Sequence, residues 1–272
     1  MKVKELTGWL DGRYPSSAAE HWDNVGLLVG DDEEEVSHVF LALDLTESTL
    51  AQAIDAGADM IITHHPMIFE GQKKINNHTF TGRRILSLIK HNIQYYAMHT
   101  NYDILGMADL SADYLRLTDR EVLSVTAETQ EGQDGFGRVG ELPRKMSLKE
   151  CGEFVKNALS LNDVKIYGDP DTQVERAAIC TGSGKSMISD VLAKGAQVYV
   201  TGDIDHHTGI DAVAQGLTIV DAGHYGTEYI FMKAMEKVLK EQYPNLHRTI
   251  HKKYSHPQDT NLPYLRQQSH WQ

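Results

Sequence analysis

Thiols are scarce in this chain. Cys151 and Cys180 are the only cysteines in 272 residues, too few for a thiolate zinc site and expected of a reducing, cytoplasmic setting. No stretch reaches about 18 consecutive apolar residues, so no membrane-spanning helix is expected. The start, Met1 to Leu6, has no apolar signal-peptide core. Positive charge is also short: 26 Lys and Arg stand against 38 Asp and Glu, a formal net charge of −12. That balance argues against a chain built to bind nucleic-acid backbone, where each phosphate contact needs a cation. What is left is the composition of a soluble globular protein, 41% apolar and 24% charged, long enough for one large domain or two small ones.

Short apolar runs alternate with helical spacing. Val39 to Leu43, Met60 to Thr63 and Ile93 to Met98 read as strands buried on both faces, separated by helices over Glu47 to Ala56 and Arg83 to His91. The same rhythm returns with strands at Val174 to Cys180, Val198 to Thr201 and Thr218 to Val220. Helices are expected at Met187 to Ala193, Ile210 to Ala214 and Glu228 to Leu239. Between them, about 121 to 170, the pattern changes to antiparallel strands, Val122 to Ala127 and Gly137 to Leu142, around a glycine-rich turn from Gly132 to Gly137. Ser147 and Glu150 form a capping box that opens another helix. The last 20 residues are polar and read as an arm over the surface, and His247, His251, His256 and His270 read as surface residues.

The two α/β stretches resemble each other. His38 to Ala42 and Gly57 to Thr63 match Arg176 to Cys180 and Gly195 to Thr201 at one offset, and Met98-His99 leading to Asp103 parallels Gly223-His224 leading to Glu228. The expected fold is therefore α/β, with two similar three-layer halves and a site in the crevice between them. The first half spans 1–100, completed by 230–272; the second spans 101–229 and contains the antiparallel insertion 121–170.

Ligands of open α/β sheets sit outside the carboxyl ends of the strands, and four strands deliver polar clusters there. They are His64-His65, His99 with Asp103, Asp203 with Asp205-His206-His207, and His224 with Glu228. Six of the 14 histidines fall in these short stretches, which an even scatter would rarely produce. Imidazole and carboxylate without thiolate suit Zn, Mn, Fe, Co or Ni, and a carboxylate can bridge two such ions. His64 and His65, being consecutive, point different ways and can reach two neighbouring ions, so a two-metal centre is expected, oriented by His99, His206 and His207.

Thr181-Gly182-Ser183-Gly184-Lys185-Ser186 is not a Walker loop, because Ile179 stands where the first glycine belongs. It reads either as a tight turn or as an anion seat made by Gly182, Ser183, Gly184 and Lys185. Trp22-Asp23-Asn24 reads as a capped turn or part of a pocket rim.

Taken together, these stretches resemble the Nif-three-like family, whose members are also called GTP cyclohydrolase I type-2 homologues. The matching segments are Trp22 to Leu27, Leu43-Asp44-Leu45-Thr46, Thr63-His64-His65-Pro66, His99-Thr100-Asn101 with Asp103, Gly182-Ser183-Gly184, Thr201-Gly202-Asp203 with His206-His207, and Asp221-Ala222-Gly223-His224 with Glu228. Tyr102 replaces the family's usual leucine, and the short middle segment matches members without an inserted domain. The resemblance implies two divalent metal ions per subunit, held by His64, His65, Asp103, His224 and Glu228, with Glu228 as the bridge. It also implies a toroidal homohexamer, a trimer of dimers. The expected activity is metal-dependent hydrolysis of a nucleotide-like substrate, opening the purine ring of GTP, with His99 or His207 as proton shuttle and Lys73, Lys74 or Lys185 receiving phosphate. The competing expectations are a phosphoesterase using the same metals and a non-enzymatic metal-binding ring that docks a partner.

Overall fold

A computed structural model describes residues 1–130 and 132–252. The chain begins with α1 (Val3–Arg13), then β1 (Gly26–Val29), β2 (His38–Ala42), α2 (Glu47–Asp55), β3 (Met60–Thr63), α3 (Phe80–Lys90) and β4 (Gln94–Ala97). A short turn of helix, α4 (Thr100–Tyr102), runs through a wider π-helical turn (Asp103–Met107) into α5 (Ala108–Tyr114). The hairpin β5 (Thr118–Thr129) and β6 (Gly132–Ser147) follows, then α6 (Leu148–Ala158), β7 (Lys165–Tyr167), β8 (Gln173–Ser183), α7 (Ile188–Ala193) and β9 (Val198–Gly202). The chain closes with α8 (His206–Ala214), β10 (Thr218–Asp221), α9 (His224–Glu228), α10 (Ile230–Gln242) and β11 (His247–Ile250).

These strands make two sheets, ordered β1-β4-β3-β2-β11 and β5-β6-β8-β9-β10-β7. In each, three consecutive parallel strands (β2-β3-β4 and β8-β9-β10) carry an antiparallel edge strand beside the third, β1 on β4 and β7 on β10, and the first sheet adds β11 as a fourth parallel strand beside β2. The ladders correspond too. Val39 pairs with Met60 as Ala177 pairs with Val198, which is the offset expected from the sequence. The third strands differ by one residue. Thr63 pairs with Ala97 and Thr201 with Asp221, so two positions beyond these lie His99 and Gly223, and His224 comes one residue later than its sequence counterpart.

Alternation along each buried strand sorts its side chains into two cores. Val39 and Leu41 of β2, with Val198 and Val200 of β9, face a shared central core built with α1, α6 and α10. Phe40 and Ala42 face α2 and α3 on the outer side of the first sheet, and Tyr199 faces α7 and α8 on the outer side of the second. Each sheet is thus covered on both faces, which is why its parallel strands read as unbroken apolar runs. No helix among the described residues is long and apolar enough to cross a membrane.

Two expectations are corrected. Thr129 at the end of β5 pairs with Gly132 at the start of β6, so Gly132 to Gly137 is strand; at Gly135 a side chain would strike the Ser124 carbonyl of the neighbouring strand, so glycine marks close approach there. His251 is buried, and its backbone N–H donates to the Leu41 carbonyl just beyond β11; His247, in β11 with its ring 4.1 Å from that of His38, is exposed as expected. β11 is short and polar, with no run to betray it. The surface arm over the last 20 residues, with His256 and His270, lies outside the described residues.

Ile62 is fully buried in the central core, two residues before His64. Ile62→Ala should destabilise the protein by about 2–5 kcal/mol, read as a lowered midpoint in urea with little change of slope.

Candidate metal centre

The carboxyl ends of β3, β4, β9 and β10 converge. His64 follows β3 and is fully buried among the core rings, while His65 turns outward beside it, the two centroids 4.9 Å apart. Asp103 opens the π-helical turn after β4, a distortion often found where a functional side chain must be re-aimed. His224 and Glu228 are four apart on α9, so one face carries both, with Nε2 and Oε2 3.1 Å apart.

Glu228 is the hub. Its Oε2 lies 3.0 Å from His65 Nε2, and those two Nε2 atoms, of His65 and His224, are 3.2 Å apart. Its Oε1 lies 3.7 Å from His64 Nε2, which is itself 3.4 Å from Asp103 Oδ1. The carboxylate thus offers one oxygen to His65 and His224 and the other to His64. A cation about 2.0–2.1 Å from three donors in tetrahedral or octahedral geometry sets them roughly 2.9–3.4 Å apart, and the Glu228, His65 and His224 triangle falls in that range.

The outward sides of the rings are fixed. His64 Nδ1 meets the Met98 carbonyl at 3.0 Å, His65 Nδ1 meets Asp44 at 3.0 Å, and His224 Nδ1 meets Asp203 at 2.7 Å. His99 Nδ1 is held in the same way by Asp23 at 3.0 Å. An oxygen acceptor at Nδ1 places the proton there and leaves Nε2 with its lone pair facing inward. Two such lone pairs at 3.2 Å repel unless a proton or a metal ion lies between them. Two buried atoms point the same way: His64 Nε2 and Asp103 Oδ1 have no hydrogen-bond partner among the described residues. Buried polar atoms are rarely left so, and these residues fit a metal.

Electrostatics point the same way. Contact with Glu228 pushes the His224 pKa up to about 9. Burial opposes the charging of His64, yet the Asp103 and Glu228 carboxylates raise its pKa well above the usual value; burial likewise opposes His65, which Asp44 and Glu228 raise. Burial works against ionised Glu228, but His64 and the neighbouring imidazoles hold its carboxyl far below the usual range. The pocket requires positive charge, which protons or metal ions can supply.

All five residues named as ligands by resemblance are therefore brought together, and His99 joins them, its ring 5.3 Å from His64 and 5.5 Å from His65. His206 and His207 are not: both are exposed on the first turn of α8 and line neither cavity beside the cluster. The Gly182 and Gly184 N–H groups donate inward to Thr227 and Thr201, which leaves an anion without them. Lys185 is exposed, 3.8 Å from Asp205, and Lys73 and Lys74 are exposed in their loop. Gly182 serves the carboxylate instead. Its φ is +68°, and a Cβ there would sit 2.2 Å from Glu228 Oε1. Both cysteines are buried, their thiols pushed up to about 12 by burial. The sequence places Asp203 in a strand-end cluster and Asp44 only in a matching segment, neither as an orienting residue; each follows a strand end, which for Asp44 is the signal that could have found it.

A family model described as Duf34/NIF3 (NGG1p interacting factor 3) matches residues 1–257. The chain belongs to this family. Its similarity to a Clostridium perfringens protein named GTP cyclohydrolase 1 type 2 homolog is 34% identity over 241 residues, covering 88% of this chain and 91% of that one. A Bacillus subtilis protein of the same name is 29% identical over 332 aligned positions, covering 84% of this chain and 87% of its own. That alignment exceeds the 272 residues here, so the relative carries inserted sequence that this chain lacks. Among solved structures, a Bacillus cereus protein related to NIF3 superposes with a TM-score of 0.85 at 25% identity, covering 94% of this chain and 98% of the other.

Two outcomes follow. Gly182→Ala, which removes no ligand, should lower bound metal per chain as strongly as loss of an orienting residue, about 10–100-fold in affinity, by elemental analysis after dialysis against a metal buffer. Asp23 gives a pH dependence. Burial opposes its ionisation, but hydrogen bonds from His99 and Thr100 lower its pKa from 3.8 to about 2. A depressed folded pKa stabilises above the unfolded value and is lost as pH falls through the folded one, so about 2 kcal/mol should disappear between roughly pH 4 and 2. Asp23→Asn should flatten that part of the acid-denaturation profile.

Proposed function

We propose that this chain is a dinuclear metal-dependent hydrolase of a nucleotide-like substrate. The observation that carries the reading is the division of the Glu228 carboxylate, Oε2 toward His65 and His224 and Oε1 toward His64 beside Asp103. His64 and Asp103 would hold one ion, His65 and His224 the other, and Glu228 both. Two ions bound there would supply Lewis acidity and a lowered pKa for a reacting water.

The protein's own part is orientation and proton transfer. His99 faces the cluster while Asp23 holds its Nδ1, so Nε2 is placed to take a proton and return it. His207, exposed on α8, lacks that placement, and the shuttle falls to His99. The nucleotide comes from the name of the C. perfringens relative, and the cavities on either side of the cluster, about 840 and 460 Å³, are of ligand size. The hexameric ring belongs to this proposal as well.

A carboxylate shared between two ions serves in-line phosphoester cleavage equally well, so the test separates the two. Metal-loaded protein incubated with GTP should release formate. Phosphate without formate would replace this reading by a phosphoesterase, and neither product at full metal occupancy would favour a metal-binding ring. His64→Ala and Glu228→Ala should each cut bound metal sharply; unchanged stoichiometry in both would overturn the ligand set.

A further inference from the structure

The larger cavity has a wall that folding does not explain. Of the eight large apolar side chains exposed among the described residues, three line it: Trp22 at 52%, Phe69 at 50% and Phe80 at 58%. Scattered exposed apolar residues are ordinary, but a cluster in one concavity beside a polar site marks a ligand surface.

The wall is also held in place. Asp23, next to Trp22, accepts hydrogen bonds from the Thr100 N–H at 3.0 Å and the Thr100 hydroxyl at 2.6 Å, besides holding His99. Asn24, one residue on, donates from Nδ2 to the Ile68 carbonyl at 2.6 Å, beside Phe69. A single tripeptide therefore mounts Trp22, orients His99 and ties down the loop that carries Phe69. Both rings approach the His99 imidazole edge-on, each with a centroid separation of 6.0 Å. At the Phe80 wall, the Arg84 guanidinium lies over the ring, 5.0 Å from its centroid, and pairs with Glu47. Among the described residues, Arg84 is the only Lys or Arg lining either cavity.

We propose that this cavity seats the planar aromatic ring of the substrate against Trp22 and Phe69, beside the imidazole cluster, with the substrate's anionic group received by Arg84. The proposal rests on the nucleotide reading above and names the subsite that selects for a base. Aromatic faces hold a heteroaromatic ring by stacking, worth about 1–3 kcal/mol per ring, and tolerate any base because each has a π face. Arg84, stacked on Phe80, presents a planar fork suited to phosphate.

The test is calorimetric, with the full-length metal-loaded protein and two probes, GMP and ribose 5-phosphate, which share sugar and phosphate and differ by the base. GMP should bind at least about tenfold tighter, and Phe69→Ala should weaken it by about 5- to 150-fold, with bound metal unchanged and Phe69→Tyr restoring affinity. Arg84→Gln should weaken both probes alike. Equal binding of the two probes, no binding of GMP, or wild-type affinity in Phe69→Ala would overturn the proposal. So would a Phe69→Ala protein that loses its oligomeric state, by light scattering, while keeping GMP affinity. Base-selective binding through Phe69 without formate or phosphate from GTP would keep the subsite and reject the hydrolase. Turnover of GTP with unchanged KM in Phe69→Ala would do the reverse.

Discussion

A buried carboxylate among three imidazoles is the constraint on which the rest of this structure turns. Glu228 is 4% exposed, and a charge so buried is tolerable only when paired. Its partners come from both sheets: His64 and His65 from the end of β3, His224 from the helix after β10. Neither sheet can satisfy it alone, so the site ties the halves together as much as the central core does. Gly182 leaves room for the carboxylate, and α9 places His224 and Glu228 on one face.

Each ring around that carboxylate is held from behind by an oxygen: the Met98 carbonyl, Asp44, Asp203 and Asp23. Rigid orientation of this kind is what a metal site needs, because a ligand that can swing away loses affinity. It also sets a division of labour. Three rings turn their lone pairs on Glu228 and each other, whereas His99 stands at the edge, between the cluster and the aromatic wall of the larger cavity. Asp203 achieves its place with a left-handed backbone, φ +57°, a conformation Asp adopts more readily than most residues.

The two sheets correspond in the order of three parallel strands and their antiparallel neighbour and in the register of the first pair, yet they contribute different chemistry. The first offers His64 and His65 where the second has Gly202 and Asp203, and the helices after the third strands start in register, with His99 just before the first and His224, one residue later, opening the second. That one-residue shift is invisible in a motif comparison, since His-x-x-x-carboxylate reads the same in both. Only the ladder between β9 and β10 reveals it.

The sequence by itself determined the α/β class, the buried parallel strands and the polar clusters at their carboxyl ends. Those features rest on local periodicity, which survives without neighbours. Residues adjacent to a strand end, such as His64 after Thr63, were legible for the same reason. Tertiary structure alone decided that His99 belongs beside the cluster and that His207, on a similar motif, does not, because that depends on which way α8 starts. It likewise decided that the amides of Gly182 and Gly184 point inward, and that Trp22, Phe69 and Arg84, far apart in the chain, share one cavity. Contacts between distant segments leave no periodic trace, and a cavity is defined by what does not fill it.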